Sequence, residues 1–299
     1  MSSTWIIFAL LSAIITSAAY ITEKRTLFRQ HAMEFSAVLA IFAMLITMPF
    51  WFLSDMGSLS LKAVYMIYGA SFFTSIGFLF SAKALRHIAI SITGPFSVFS
   101  PFFTAIFAVL LIGEHITWLQ GSGIIILIIG AYILESHSHQ NILEPFKHVF
   151  KSKFIRYMFL AMILYALSSI FDKKIIGTVA DGGMGVPVLT YIPLAHFFLA
   201  VNFTVMMILF HDGFKGIGKG MGDNWKWIFV VAVLFVGSRL AYQYALSLPG
   251  VLVSLVIPIK RLSALFSTII GGGLFHEESI LRKALACGIM IVGAVLIIM

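Results

Sequence analysis

Residues 93–134 read TGPFSVFSPFFTAIFAVLLIGEHITWLQGSGIIILIIGAYIL, and this stretch decides the fold. Two apolar runs flank a single acidic residue, Glu114, and the first run contains Pro95 and Pro101. Each run approaches the roughly 20 apolar residues that a membrane-spanning helix requires. The stretch therefore predicts two neighbouring transmembrane helices joined by a short polar connection.

The composition of the whole chain agrees with a membrane protein. The chain has 299 residues, of which 60% are hydrophobic and 11% charged, and its mean hydropathy is +1.03. Soluble domains carry about 25% charged residues, so too few polar groups are present to cover a water-exposed surface. The net charge is +8. We expect the excess Lys and Arg to lie in loops, because these residues concentrate in the cytoplasmic loops of membrane proteins. No nucleic-acid partner is expected.

Ten segments are long and apolar enough to span a bilayer. The sequence therefore predicts an all-α membrane protein of ten transmembrane helices, at 4–22, 35–53, 63–85, 88–112, 117–134, 155–175, 187–210, 225–246, 250–274 and 281–299.

The opening stretch is repeated near the end of the chain. Residues 255–298 align with it at a constant spacing of 163 positions, which pairs Pro95 with Pro258, Ser100 with Ser263, Glu114 with Glu277 and Gly130 with Gly293. A repeat of five spans must enter the membrane in the opposite sense the second time. We therefore predict two inverted five-helix repeats, 1–134 and 155–299, with a basic linker at 135–154. Inverted repeats are frequent in secondary transporters.

Two polar segments invite other interpretations that we do not favour. The linker contains His137 and His139, but two histidines without further ligands do not define a metal site, and none is predicted. The segment GFKGIGKGMGD, residues 213–223, lacks the preceding strand of a dinucleotide-binding motif. It is predicted to be a flexible loop.

Three basic residues lie deep inside the predicted spans, away from the span ends. Arg239 lies in the eighth, and Lys260 with Arg261 in the ninth. At 1.5 Å per residue they lie about 10 to 15 Å from the short connection between these spans, and His196 in the seventh span is at a similar depth. A cation at the centre of a bilayer costs about 2.5 to 3.5 kcal/mol on the lenient scale. Such a cluster is expected to face water or an anion.

The acidic residues are all placed at or beyond the ends of the spans, so no counter-charge is expected at the depth of these cations. This set includes Glu23, Glu34, Asp55, Glu114, Asp172 and Glu277. The substrate is therefore predicted to supply the missing negative charge. Pro258 precedes Lys260 closely and is expected to loosen the ninth span there. Pro95 and Pro101 are expected to do the same in the fourth span, the repeat mate of the ninth. Interrupted helices between repeats favour a binding site at this place.

Several candidate residues have a structural alternative. Tyr242 and His196 are predicted to bind substrate, but each also fits helix packing. The Lys260–Arg261 pair could instead bind backbone carbonyls. Glu114 and Glu277 begin the helices that follow them, where an acid stabilises the helix dipole, and gating is the alternative role.

The chain resembles a known family at these same residues. GEHITWLQGSGIIILIIGAYIL and HEESILRKALACGIMIVGAVLII, the ends of the two halves, are similar to the EamA family of the drug/metabolite transporter superfamily. That resemblance implies ten helices around a central cavity and substrates among amino acids, drugs, nucleotide sugars and sugar phosphates. Plant sugar-phosphate translocators of the superfamily carry an adjacent Lys-Arg pair in the ninth span that holds phosphate, and Lys260 and Arg261 match it.

The expected function is secondary transport of a small anionic or zwitterionic metabolite by alternating access. A drug or amino-acid exporter is the alternative, and an intramembrane enzyme or lipid-handling protein is a further one. The protein is expected not to be an enzyme and to need no cofactor, and its partners are a small-molecule substrate and the lipid bilayer. A multi-pass location in the inner or plasma membrane is expected, and a monomer is compatible with the sequence.

The distribution of Lys and Arg predicts an orientation. Fourteen of them follow odd-numbered spans and three follow even-numbered spans. The positive-inside rule then places both termini outside, whereas the resemblance implies termini inside.

Overall fold

The structure is a computed structural model that describes residues 4–27, 30–87, 99–135, 152–222, 224–266 and 280–299. The described residues form α-helices with short turns and contain no strand. Helices of the described residues that fall in the predicted spans are α1 (Thr4–Leu27), α2 (Ala32–Thr47), α3 (Leu61–His87), α4 (Ser100–Ile112), α5 (Trp118–Glu135), α6 (Lys153–Ile176), α7 (Val188–Phe210), α8 (Trp225–Ser247), α9 (Val253–Lys260) and α10 (Ile280–Ile298). Further short helices lie at Phe50–Leu53, Met56–Ser58, Val179–Asp181 and Gly213–Gly220.

Six stretches of described helix are long and apolar enough to cross a membrane. They are Thr4–Glu23, Ala32–Leu53, Leu61–Ala84, Lys153–Ile176, Val188–Phe210 and Trp225–Ser247. Three shorter apolar helices lie at Ser100–Ile112, Trp118–Leu134 and Leu285–Ile298. The all-α membrane architecture predicted from the sequence is therefore confirmed. Parts of the predicted fourth and ninth spans, 88–98 and 267–274, lie outside the described residues.

The helices associate in pairs across the two halves of the chain. The most extensive contacts join α5 with α10, α3 with α6, α1 with α8 and α2 with α7. The α1–α8 pair is fixed by Ser12, whose hydroxyl donates to the carbonyl of Ser238 at 2.9 Å. The α3–α6 pair is fixed by Thr74 and Ser168, whose hydroxyl oxygens lie 2.8 Å apart. Every extensive pair therefore contains one helix from each half.

Glycines allow α5 and α10 to pack backbone against backbone. A Cβ atom added at Gly293 would lie 2.6 Å from the amide nitrogen of Leu127 and 2.8 Å from the carbonyl of Gly123. At Gly130 it would lie 2.8 Å from the amide nitrogen of Met290. Lipid supplies no hydrophobic force between helices, so close contact of small residues stabilises such a pair.

The Gly-rich segment after α7 is a helix, and the predicted flexible loop is wrong there. Residues Gly213–Gly220 are helical. Ile217 packs between the apolar faces of α2 and α7, and a Cβ atom at Gly220 would lie 2.9 Å from Val38. The glycines that suggested flexibility therefore serve to bring this short helix close to α2.

Helix α9 ends at the cation pair. Pro258 lies inside the helix, which stops at Lys260. The amide of Arg261 donates to the carbonyls of Ile257 at 3.1 Å and Pro258 at 2.9 Å, and helix resumes at residues 263–266. Because proline has no amide hydrogen, the carbonyl four residues before it loses its helical donor. Lys260 and Arg261 thus occupy an interruption in the predicted ninth span.

Candidate functional site

Arg239 is the centre of a buried polar cluster that joins three helices. It projects from α8, and its Nη2 donates to the hydroxyl of Tyr191 on α7 at 3.3 Å. The same nitrogen lies 3.8 Å from Oδ2 of Asp172 on α6. The hydroxyl of Tyr191 donates in turn to Oδ1 of Asp172. The Asp172 side chain is 2% exposed and that of Arg239 is 15% exposed, so this pair lies largely out of solvent.

The prediction that these cations lack a protein counter-charge is wrong for Arg239. Asp172 lies one turn before the end of α6, which is why a count along the sequence placed it at a membrane boundary. Asp172 lies about 6 Å from that end along the helix axis. The long side chain of Arg239 spans the remaining difference in depth between the two residues. Arg239 and Asp172 therefore form a neutral pair, stabilised by Tyr191.

Lys260 lies close to this pair and has a different environment. Its Nζ lies 4.7 Å from the centre of the Tyr242 ring on α8. An ammonium group over an aromatic face gains electrostatic stabilisation without losing its charge. Among the described residues, no carboxylate lies within ion-pair distance of Lys260. The Tyr242 ring therefore holds a cation that keeps its capacity to bind an anion.

Two other buried side chains near Arg239 are polar and unpartnered. His196 on α7 is 1% exposed and Gln243 on α8 is 0% exposed. Neither ring nitrogen of His196 and neither amide atom of Gln243 has a hydrogen-bond partner among the described residues. The His196 ring lies 5.7 Å from that of Phe235, one turn before Arg239 on α8. These side chains extend the polar cluster along the α7–α8 boundary.

Glu114 binds a helix other than the one expected from the sequence. Its carboxylate accepts hydrogen bonds from the amides of Val253 at 2.7 Å and Ser254 at 3.1 Å, and also from the Ser254 hydroxyl. It therefore caps α9, whereas the sequence suggested the start of α5. The reason is that the amides at the start of a helix have no internal acceptor, and tertiary packing brings those of α9 to Glu114.

The short turn between α8 and α9 is bound by two further charged residues. We call the end of the bundle that contains this turn, residues 248–252, the turn end. Lys173 donates from Nζ to the carbonyl of Leu246 at 3.3 Å. Asp181 accepts from the amide of Gly250 at 2.9 Å, and the hydrogen bonds from Thr178 and Gly250 lower the pKa of Asp181. Together with Glu114, these contacts connect the turn and the helix ends beside it to three places: the segment before α5, the last turn of α6, and the segment after α6.

The remaining sequence candidates occupy separate places. Pro101 lies in the first turn of α4, where a proline needs no helical partner. Pro95 and Glu277 lie outside the described residues, as do His137 and His139. In the described part of the chain, no group of three His, Cys, Asp or Glu side chains could hold a metal ion.

Three members of the cluster, Asp172, Tyr191 and Gln243, are not among the site residues predicted from the sequence. Asp172 is predicted there to lie at the end of a span. A signal was available for Gln243, because it follows Arg239 by four residues and therefore lies on the same face of α8. No comparable signal exists for Asp172 and Tyr191, since their helices meet α8 only through tertiary packing.

Comparison with known proteins supports this description of the chain. Residues 3–136 match the EamA-like transporter family, and no curated protein matches the chain. A solved structure titled "Crystal structure of protein" has a TM-score of 0.74 and 12% sequence identity, and the match covers 99% of this chain and 96% of that one. At this identity the likeness shows a shared fold over almost the whole length. Residues 3–136 of this chain are therefore similar to the EamA-like transporter family, whose members are multi-pass integral membrane proteins.

Proposed function

We propose that this protein is a secondary transporter that moves a small anionic or zwitterionic metabolite by alternating access. The observation that carries the proposal is Lys260, the last residue of α9, which is held on the Tyr242 ring at 4.7 Å. The match of residues 3–136 to a transporter family supports transport, and the local charge supports an acidic substrate group.

The packing of the helices supports two inverted repeats, 1–134 and 155–299, joined by the linker at 135–154. Under two-fold symmetry between the repeats, each helix of the first half would be equivalent to the helix five places later in the chain. Exchange of the equivalent helices leaves the pairs α5–α10 and α2–α7 unchanged. The same operation exchanges α1–α8 with α3–α6. All four pairs are among the most extensive contacts. This is the pattern that a two-fold axis in the membrane plane would produce.

The charges of the cluster favour an anion over a cationic drug. Export of a cation normally depends on an intramembrane carboxylate with free oxygens. Asp172 is buried, but one of its oxygens accepts from Tyr191 and the other faces Arg239. With this pair neutral, Lys260 supplies the excess positive charge. A carboxylate or phosphate group on the substrate would balance that charge, and its attraction to Lys260 would offset the cost of removing the anion from water.

Uptake into proteoliposomes tests the proposal. A panel of labelled organic anions, amino acids and hydrophobic cations is offered to the wild-type protein and to Lys260→Ala and Arg261→Ala. We expect uptake of at least one acid, lost in Lys260→Ala and reduced in Arg261→Ala. Lys62→Ala, at an exposed helix end, is the matched control and should transport normally. Normal uptake of every accepted substrate by both variants contradicts the anion site, and transport of cations alone favours an exporter.

A further inference from the structure

Gln243 has no structural explanation within the described bundle. Its side chain is completely buried, and neither its amide oxygen nor its amide nitrogen has a partner there. The other buried amide of the membrane region is different, because Asn202 on α7 donates to the hydroxyl of Ser75 at 3.1 Å. An amide without a partner costs about 1 to 3 kcal/mol of desolvation. A leucine would fill a similar volume without that cost.

His196 repeats this situation on the neighbouring helix. It is 1% exposed and both of its ring nitrogens are unpartnered among the described residues. A neutral imidazole offers one donor and one acceptor, and an amide offers two donors and one acceptor. Unlike Lys260, these groups are suited to hydroxyl and amide groups of a ligand.

The two side chains are continuous with the cation site. Arg239 and Gln243 are one turn apart on α8, so they share a face. The His196 ring lies 5.7 Å from that of Phe235, which is one turn before Arg239 on the same face of α8. Tyr242, three residues after Arg239 and on the same face of α8, carries Lys260 on its ring. Charged and uncharged groups therefore line the same region between α7, α8 and α9.

We infer that Gln243 and His196 form an uncharged subsite that binds hydroxyl or amide groups of the substrate whose acidic group is held at Lys260. This inference rests on the proposed function and narrows it. The preferred substrate is an organic anion with further uncharged hydrogen-bonding groups, and an alkyl acid of the same size binds more weakly. Such a substrate satisfies the buried donors and acceptors that an alkyl chain would leave unpaired.

The first test needs no ligand. Gln243→Leu and Asn202→Leu are purified in detergent, and their melting temperatures are compared with that of the wild type. We expect Asn202→Leu to lower the melting temperature, because it removes a formed hydrogen bond. Gln243→Leu should leave the melting temperature unchanged or raise it. A loss as large as that of Asn202→Leu would give Gln243 a structural role and overturn the subsite.

The second test uses two six-carbon acids, gluconate and hexanoate. Stabilisation of the full-length protein against heat is measured over a range of concentrations. We expect gluconate to bind more tightly, Gln243→Leu to weaken gluconate about three- to tenfold with hexanoate unchanged, and Lys260→Ala to abolish both. Equal binding of the two acids overturns the subsite and leaves the anion site intact. Binding of neither acid overturns the anion site as well.

Discussion

Asp172 and Arg239 show how a charged side chain is retained inside this bundle. Arg239 contacts an acid on α6 and a hydroxyl on α7, so its charge is balanced by the protein. Lys260 is stabilised by an aromatic ring. Arg239 and Lys260 are therefore stabilised by different interactions, although they lie at similar depth. This difference separates the structural role of Arg239 from the binding role that we propose for Lys260.

Replacement of Asp172 tests the structural role. Asp172→Asn leaves Arg239 buried without its counter-charge, and removal of one partner of a buried pair costs about 3 kcal/mol or more. We expect a lower free energy of unfolding in detergent, measured with a chemical denaturant. The double variant Asp172→Asn, Arg239→Gln should recover part of the loss, because no buried charge remains. Asp212→Asn, in an exposed ion pair with Lys219, is the control and should unfold like the wild type.

Tyr242 is expected to matter through its ring. Tyr242→Phe keeps the aromatic face under Lys260, and Tyr242→Leu removes it. A partly desolvated cation–π contact contributes about 1 kcal/mol, so Tyr242→Leu should reduce the affinity for an accepted acid about fivefold while Tyr242→Phe changes it little. Concentration-dependent uptake in proteoliposomes measures both. Equal loss in the two variants would assign the effect to the hydroxyl.

At the scale of single residues, the sequence predicts the intramembrane cations but does not predict that Asp172 is the partner of Arg239. Lys260 and Arg261 stand out because they interrupt an apolar run, and that signal is local. The pairing of Asp172 with Arg239 depends on which faces of α6 and α8 meet. A single sequence carries no record of those faces. Residues near the ends of spans are therefore the least predictable members of such a site.

The elements of this fold are held together by close approach of helices as much as by polar contacts. Gly130 and Gly293 are repeat mates, and both lie where α5 and α10 touch through their backbones. The repeat predicted their equivalence, since they align at the same spacing as Pro95 and Pro258. The sequence did not predict that α5 and α10 contact each other. In a membrane, the surfaces that face lipid and those that face another helix are both apolar, so the sequence does not distinguish them.

Substitution of Gly293 by alanine tests this interface. The added Cβ would lie 2.6 Å from the amide nitrogen of Leu127, so α5 and α10 must move apart and the melting temperature should fall. Gly288 is the matched control on the same helix, because a Cβ there meets no atom within 4 Å. Gly288→Ala should be neutral or stabilising by up to about 1 kcal/mol through helix propensity. Equal melting temperatures for the two variants would contradict the close contact.

The N-terminal cap of α2 is expected to make stability depend on pH. His31 accepts the amide of Met33 through Nδ1 at 3.3 Å, and its ring lies 4.4 Å from that of His211. Burial lowers the pKa of His31 below its ordinary value of 6.5, helped by His211, Arg86 and Lys83 and opposed by Glu34. The unfolded chain therefore takes up a proton below about pH 6.5 that folded His31 resists.

Stability should consequently fall as the pH decreases below that value. The expected result is a lower melting temperature at pH 5.5 than at pH 7.5, with a smaller difference in His31→Asn. Asparagine keeps a good capping side chain and cannot titrate in this range. An unchanged pH dependence in His31→Asn would assign the effect to other groups.

The whole molecule is constrained most clearly at its turn end. Three charged side chains bind the turn between α8 and α9 or the helix ends beside it. Glu114 binds the start of α9, Asp181 binds Gly250 and Lys173 binds Leu246. Glu114 belongs to the first half of the chain and α9 to the second. If the two halves rock against each other, as alternating access requires, this contact must break when the turn end opens.

Labelling of a single cysteine at the site follows that opening. Cys287 is the only cysteine, so Cys287→Ser with Lys260→Cys leaves one thiol, at the proposed binding site. Membrane vesicles of both orientations are treated with an impermeant maleimide. We expect slow labelling from the turn end, about tenfold faster when Glu114→Gln weakens the charge-assisted cap of α9. Glu34→Gln, at the start of α2, is the control and should leave the rate unchanged. The orientation that responds also identifies the face of the turn end, which the charge distribution predicts to be outside. An unchanged rate in Glu114→Gln would show that this contact does not control access, and would leave Glu114 as a helix cap alone.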